Sequence, residues 1–291
     1  MKVPFKLLNL CLLQQTRGVI MKILFTDLDG TLLNNESMVS AKTKAFLDEF
    51  TNAGNKLVLS SGRPLGSVLE VKEQAGLNYP GVLIIASNGT MIYDCDNRCS
   101  FIEKRMPLSY VSYLQAQAKA HDLHIQTYTD DAVVCTAEDE EIKFYRRRVH
   151  QPLLLADDYT SVLTKGPLKM LAIDLHDHSK LDAFCEAIAD WAADKIQYIF
   201  SNAYYLELFD KDAGKGNAVR YVCDYFHVPL SDAYAAGDAE NDISMIEAAG
   251  CGIAMKNADI NVKKAADVIT EYDNDNDGLA IFMQCVLSLH N

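Results

Sequence analysis

From Met21 onward, short apolar runs alternate with amphipathic stretches, and that alternation restricts the chain to few folds. Lys22–Thr26, Lys56–Ser60 and Val82–Ser87 have the length and composition of fully buried strands. Between them lie two helical patterns, one capped by Ser40 and stopped by Gly54, the other ending near Gly76. Strands and helices at this spacing make βαβ units and a parallel sheet. The rhythm changes after Ser87, where Asn88-Gly89 signals a turn flanked by the apolar segment from Met91 and, after Asn97, by Phe101-Ile102. Helices over 110–121, 138–150 and 180–192 then mix with strands over 125–129, 132–136, 168–174, 196–200 and 204–209. From Lys215 the alternation resumes. A helix to about Phe226 precedes strand 233–236, helix 242–249, strand 251–255, a short helix, strand 267–270 and a helix from Asp277.

These patterns predict an α/β fold: a doubly wound, Rossmann-like parallel-sheet core over residues 21–87 and 211–291, interrupted by an α+β insertion over 88–210. At 291 residues a core plus a second module is the expected organisation. Residues 1–20 fall outside the pattern and are expected to be an extension. Their apolar run, Leu7–Leu13, is too short to span a membrane, and no small-residue cleavage site follows. A net charge of −13 argues against a nucleic-acid-binding surface, which needs a basic stripe. The eight cysteines are scattered without a Cys-x-x-Cys pair, which suits reduced thiols in a cytoplasmic protein; zinc binding by Cys95 and Cys99 is the alternative.

In a doubly wound core, ligands bind beyond the carboxyl ends of the strands. Four segments pass that test. Asp27-Leu28-Asp29-Gly30-Thr31-Leu32 follows the first strand, and two carboxylates two residues apart can address one centre while Gly30 permits a sharp turn. Taken alone it is also compatible with an acidic turn, although not with an EF-hand, whose spacing Asn34, Asn35 and Glu36 break. Ser61-Gly62-Arg63 follows the second strand, where a hydroxyl and backbone N–H groups suit a phosphoryl oxygen or an ordinary turn. Lys215, opening a helix, can neutralise an anion or simply face solvent. Gly237-Asp238-Ala239-Glu240-Asn241-Asp242 follows a later strand, and a capping role accounts for only one of its aspartates. Convergence of Asp27, Asp29, Asp238 and Asp242 would cost about 4 kcal/mol per close pair at intermediate dielectric. A hard divalent cation removes that penalty, and magnesium characteristically takes a substrate phosphate oxygen as well.

The ordered set D-x-D-G-T-L, Ser61 before Gly-Arg, Lys215-Gly216 and G-D-x-x-N-D resembles the haloacid dehalogenase superfamily of phosphatases. The insertion, opening with Ser87-Asn88-Gly89-Thr90, resembles the class IIB cap of the Cof-type subfamily. The resemblance implies a Mg2+-dependent hydrolase of small phosphorylated metabolites, sugar phosphates first, acting through an aspartyl-phosphate. It implies Asp27 as nucleophile, Asp29 as general acid and base, and Ser61 and Lys215 holding the phosphoryl group. Metal ligands would be Asp27, Asp29 through its carbonyl, Asp238 and Asp242, the last directly or through water. Leu28, Ser61, Gly62, Lys215 and Asn241 would line the substrate, with Asn241 positioning it or Lys215. Candidate specificity residues in the insertion are Arg146, Arg147, Tyr204, Tyr205 and Glu207. A phosphosugar mutase, with Arg146-Arg147-Arg148 binding a second phosphate, and a non-enzymatic receiver-like phosphate sensor are the alternatives; oligomeric state is unreadable.

Overall fold

A computed structural model describes residues 21–147, 149 and 151–288. The chain opens with β1 (Ile23–Thr26), α1 (Ala41–Asn52), β2 (Lys56–Ser60), α2 (Leu65–Gln74), β3 (Leu83–Ala86), β4 (Met91–Asp94) and β5 (Cys99–Glu103). Next come α3 (Leu108–Ala120), β6 (His124–Tyr128), β7 (Val133–Cys135), α4 (Glu140–Tyr145), β8 (Leu153–Leu155), β9 (Lys169–Ile173), α5 (His178–Ala192), β10 (Ile196–Asn202) and β11 (Tyr205–Asp210). The chain closes with α6 (Lys215–Phe226), β12 (Ala233–Gly237), α7 (Ile243–Ala248), β13 (Cys251–Ala254), α8 (Ile260–Ala265), β14 (Val268–Ile269) and α9 (Gly278–Ser288). It divides into two compact units: the described residues up to Phe101 with those from Lys215 onward, and Ile102–Gly214.

The first unit is an eight-stranded sheet in the order β14-β13-β12-β1-β2-β3-β4-β5. Its strands up to β3 are parallel, and β4 runs antiparallel to β3. Along β1 every residue is buried, so the strand reads as an unbroken apolar run, as strands covered on both faces do. Leu24 joins a cluster with Phe46, Leu47 and Phe50 of α1 and with Leu279 and Met283 of α9. Helix α1 starts where predicted: Ser40 Oγ accepts a hydrogen bond from Thr43 N at 3.0 Å. Connections from β1 lead outward to β2 and β3, and those after the insertion lead the opposite way to β13 and β14. The reversal of strand order therefore falls beside β1, the switch point at which such sheets bind ligands. Thr26 is in register with Ala236 on one side and Leu59 on the other, so the segments leaving all three strands emerge together.

The second unit is a six-stranded sheet in the order β10-β11-β9-β6-β7-β8. On one face Val111 and Leu114 of α3 and Leu181, Phe184 and Ile188 of α5 pack on Ile125, Met170, Ala172, Leu206 and Leu208. On the other, Ile142 and Tyr145 of α4 pack on Val133, Cys135, Leu171 and Ile173. This is the expected α+β layout.

Three details differ from the sequence reading. The hairpin at Asn88-Gly89 exists, but its second strand stays in the first unit: Leu83 pairs with Asp94 and Ala86 with Met91, so the sheet holds β4 and the units divide at Phe101 rather than Ser87. At the return, Lys211 N donates to Lys195 O, which keeps 211–214 with the inserted unit. The helix expected over 138–150 ends at Tyr145; beyond it β8, three residues with half-exposed side chains, pairs with β7. That strand is too short to announce itself by periodicity. Residues 1–20, Arg148 and His150, which carry other expectations, lie outside the described residues. Among the described residues no metal-binding group includes Cys95 or Cys99, and no helix is long and apolar enough to cross a membrane.

Candidate active site

Beyond Thr26 the chain continues its sheet bonding for one residue, with Asp27 N donating to Ala236 O at 3.0 Å, and then turns. Leu33 N returns to Leu28 O at 2.8 Å and Leu32 N to Asp27 O at 3.3 Å. Gly30 adopts φ +74°, and any Cβ there would collide with the carboxylate of Asp238. Gly30 thus serves both the backbone angle and the close approach of the two loops. Thr31, next in the turn, donates from Oγ1 to Asp238 Oδ1 at 2.9 Å. Asn257 Nδ2 closes the outer side on Gly30 O at 2.8 Å. Leu28, expected to line the substrate, buries its side chain in the apolar cluster at 0% exposure, so such a contact falls to its main chain.

Lys215, the first residue of α6, is 1% exposed. Its Nζ donates to Asp27 Oδ1 and to Asp242 Oδ1, each at 2.6 Å, and to the carbonyl of Ser60 at 3.3 Å. The solvated-lysine alternative is thereby removed. Burial opposes its charge, but Asp242 and Asp27 outweigh that opposition and hold the ammonium well above the usual lysine range. Asp242 is wholly buried and spends its other oxygen on the N–H groups of Asp238 and Ala239, at 3.0 and 3.1 Å.

Burial raises the Asp27 carboxyl well above the carboxylate range; Lys215 opposes this, and Asp242 and Asp238 add to it. Burial also raises Asp238, with the charge of Asp242 adding to it and Thr31 opposing, to about 6. Carboxyl oxygens of Asp27, Asp238 and Asp242 lie within 4.8 Å of one another. Fully ionised, the three contribute −3 against +1 from Lys215, leaving −2 in a buried site. Asp27 Oδ2 and Asp238 Oδ2 have no hydrogen-bond donor among the described residues. An all-oxygen donor set with a deficit of two charges fits a hard divalent cation such as Mg2+.

Asp29 turns away from this centre. Its carboxylate is half-exposed and meets Arg63 in a two-point pair, Nε to Oδ2 at 2.7 Å and Nη2 to Oδ1 at 2.5 Å. Ser61, 2% exposed, is fixed by Ser61 N to Ile85 O at 2.8 Å, and its Oγ accepts from Arg63 N at 3.1 Å. Asn241, expected to position substrate or Lys215, donates from Nδ2 to Asn88 Oδ1 at 2.9 Å, while the Lys215 ammonium has Asp27, Asp242 and the Ser60 carbonyl as acceptors. Arg63 as the partner of Asp29, Thr31, Asn88 and Asn257 were missed as site residues. Thr31 stood inside the quoted motif, Asn88-Gly89 appeared only as a turn, and Asn257 carried no signal. In the inserted unit Glu207 is 6% exposed and bonded to Lys169 Nζ at 2.8 Å. Arg146 and Arg147 are exposed, the Arg147 guanidinium lying over the Phe144 ring.

The model of the haloacid dehalogenase-like hydrolase family matches residues 24–283. A 5-amino-6-(5-phospho-D-ribitylamino)uracil phosphatase of Bacillus subtilis is 28% identical over 296 residues, covering 92% of this chain and 99% of its own. The crystal structure of a haloacid dehalogenase-like hydrolase from Bacteroides thetaiotaomicron aligns with a TM-score of 0.79 at 29% identity, covering 91% of this chain and 99% of that one. A subclass IIB sugar phosphatase shares the fold at a TM-score of 0.75 and 20% identity, covering 92% and 100%. The ordered motifs, the switch-point site they build and a match across both units agree: the chain belongs to the haloacid dehalogenase-like hydrolase family and is a phosphatase with an inserted cap.

Proposed function

We propose that this phosphatase hydrolyses small phosphate monoesters, sugar phosphates foremost, through an aspartyl-phosphate on Asp27 with Mg2+ as its metal. The observation that carries the reading is the convergence of Asp27, Asp238 and Asp242 on a buried Lys215 at the switch point, with Oδ2 of Asp27 and of Asp238 lacking a donor. Asp27 attacks phosphorus, forming an Oδ–P bond as the ester P–O bond breaks. Asp29, released from its pair with Arg63 and turned towards the leaving group, gives its proton to the leaving alcohol, then takes one from the water that attacks the aspartyl-phosphate. Inorganic phosphate departs and the Asp27 carboxylate is restored. Ser61 and Lys215 hold the transferring group, and the lysine's two carboxylate bonds fix its charge in place beforehand.

Magnesium, when bound, would neutralise the acidic centre and the phosphoryl oxygens. The side chains of Asp27 and Asp238 and the carbonyl of Asp29 would hold it. Asp242, with both oxygens already hydrogen-bonded, suits a water-mediated place. A similar phosphatase is named for a phosphorylated ribityl compound, and another with the same fold for sugar phosphates, which supports this substrate class. The test is phosphate release across a panel of phosphometabolites with magnesium and with EDTA, using Asp27→Asn as control. Turnover is expected only with magnesium and only with Asp27; a panel hydrolysed equally well by Asp27→Asn would overturn the assignment.

A further inference from the structure

Ser87, Asn88 and Gly89 leave β3 with three successive positive φ angles of 49°, 58° and 87°. L side chains other than Asn and Asp seldom occupy this region, and it persists where the surroundings over-determine it. Here two backbone bonds do so: Ser87 N donates to Arg63 O at 2.9 Å and Asn88 N to Ser61 O at 3.0 Å. The left-handed run thereby lays two consecutive N–H groups along the loop after β2. It also buries the Asn88 side chain, at 1% exposure, with Oδ1 accepting from Asn241 Nδ2 at 2.9 Å. A Cβ on Gly62 would stand 3.0 Å from the same oxygen, so the carboxamide fits because residue 62 has no side chain.

A hairpin turn requires only the backbone angles of Asn88. It does not require a buried carboxamide wedged between Gly62 and Asn241. We propose that Asn88 is a positioning residue for phosphoryl transfer. Its main chain holds the Ser61 carbonyl, and its side chain holds Asn241, which lies between Asp238 and Asp242. One residue therefore sets the distance between the loop that grips the phosphoryl group and the acidic loop. This inference rests on Ser61 as a phosphoryl-holding residue in the reading above.

Asn88→Gly separates the two roles, because glycine keeps the left-handed backbone and removes the carboxamide. With p-nitrophenyl phosphate and magnesium, its kcat is expected to fall about tenfold, with KM changed less than about threefold. Its thermal midpoint should stay within about 4 °C of wild type. Asn241→Ala should show a similar loss, and the double variant should be no slower than the slower single variant. Asn88→Asp, which keeps an oxygen for Asn241 and tolerates the same backbone, should stay within about threefold of wild type. Wild-type kcat in Asn88→Gly, or penalties that multiply in the double variant, would overturn the proposal. If Asn88→Gly does not fold, Asn241→Ala decides, since it leaves 87–89 untouched; wild-type kcat there refutes the tie. Failure of the underlying reading would appear differently, as an Asp27→Asn variant that still turns over.

Discussion

Two buried lysines, one in each unit, stand in opposite electrostatic situations. In the inserted unit Lys169 and Glu207, 7% and 6% exposed, form an ion pair on neighbouring strands. Burial opposes the Lys169 charge, and Glu207 and Tyr145 more than restore it, so the ammonium is held above its usual range. In the catalytic unit Lys215 faces two carboxylates directly and a third nearby, and burial, with the neighbouring carboxylates adding to it, raises Asp238 and Asp27. A balanced pair is closed and can serve architecture alone. An unbalanced cluster leaves negative charge that a bound cation would neutralise.

That contrast can be attacked at several levels, beginning with chemistry. Asp27→Asn should lower kcat by roughly ten-thousand-fold while far-ultraviolet circular dichroism stays unchanged. It should not destabilise the metal-free protein, since it deletes one of the surplus charges; a clear drop in its unfolding midpoint would contradict the charge count. The lysines come next. Lys169→Met should cost about 3–5 kcal/mol in denaturant unfolding by stranding Glu207, and Lys169→Met with Glu207→Leu should recover most of it. Lys215→Met combined with Asp27→Asn should not recover in the same way, because Asp242 remains buried and uncompensated. Equal recovery in both double variants would erase the distinction.

Acidity offers a third lever. Asp238, raised to about 6 in the folded protein, binds its proton more tightly there than in the unfolded chain. Stability from that group is present below about pH 4 and lost as the pH rises through 6. Without metal, Asp238→Asn should therefore gain on wild type across that window, by at most about 3 kcal/mol. Magnesium bound as proposed would displace the same proton, so its stabilisation of the wild type should grow between pH 5 and 7, as thermal shift would register. The smallest effect belongs to Thr31→Val, which removes the bond to Asp238 Oδ1. About 1 kcal/mol, or fivefold in magnesium affinity by titration calorimetry, is expected.

Much of the centre was legible because strand ends are legible. The apolar runs before Asp27, Ser61 and Asp238 are unbroken, and each places its polar residue at a strand's carboxyl end. Helix α6 was also readable from Lys215 to Phe226, although its first residue looked like a surface lysine until three acceptors enclosed it. Asn88 and Asn257 were illegible as site residues for a different reason: the side chain of each reaches a residue more than 150 positions away. The hairpin strand β4 was legible as a strand but not as a member of the first sheet, since pairing partners leave no periodic trace.

By itself the sequence determined the alternation of strands and helices, the interruption by an inserted α+β unit, and the residue types available for phosphoryl transfer. Periodicity and local turn chemistry carry such information, because they act within a few residues. Only the tertiary structure decided that Asp242 is wholly enclosed, that Asp29 meets Arg63, that Leu28 is core, and that Lys215 is buried between carboxylates. Those outcomes depend on sheet order and register, which bring β12, β1 and β2 side by side from distant parts of the chain. Charge compensation and desolvation are properties of that convergence rather than of any segment within it.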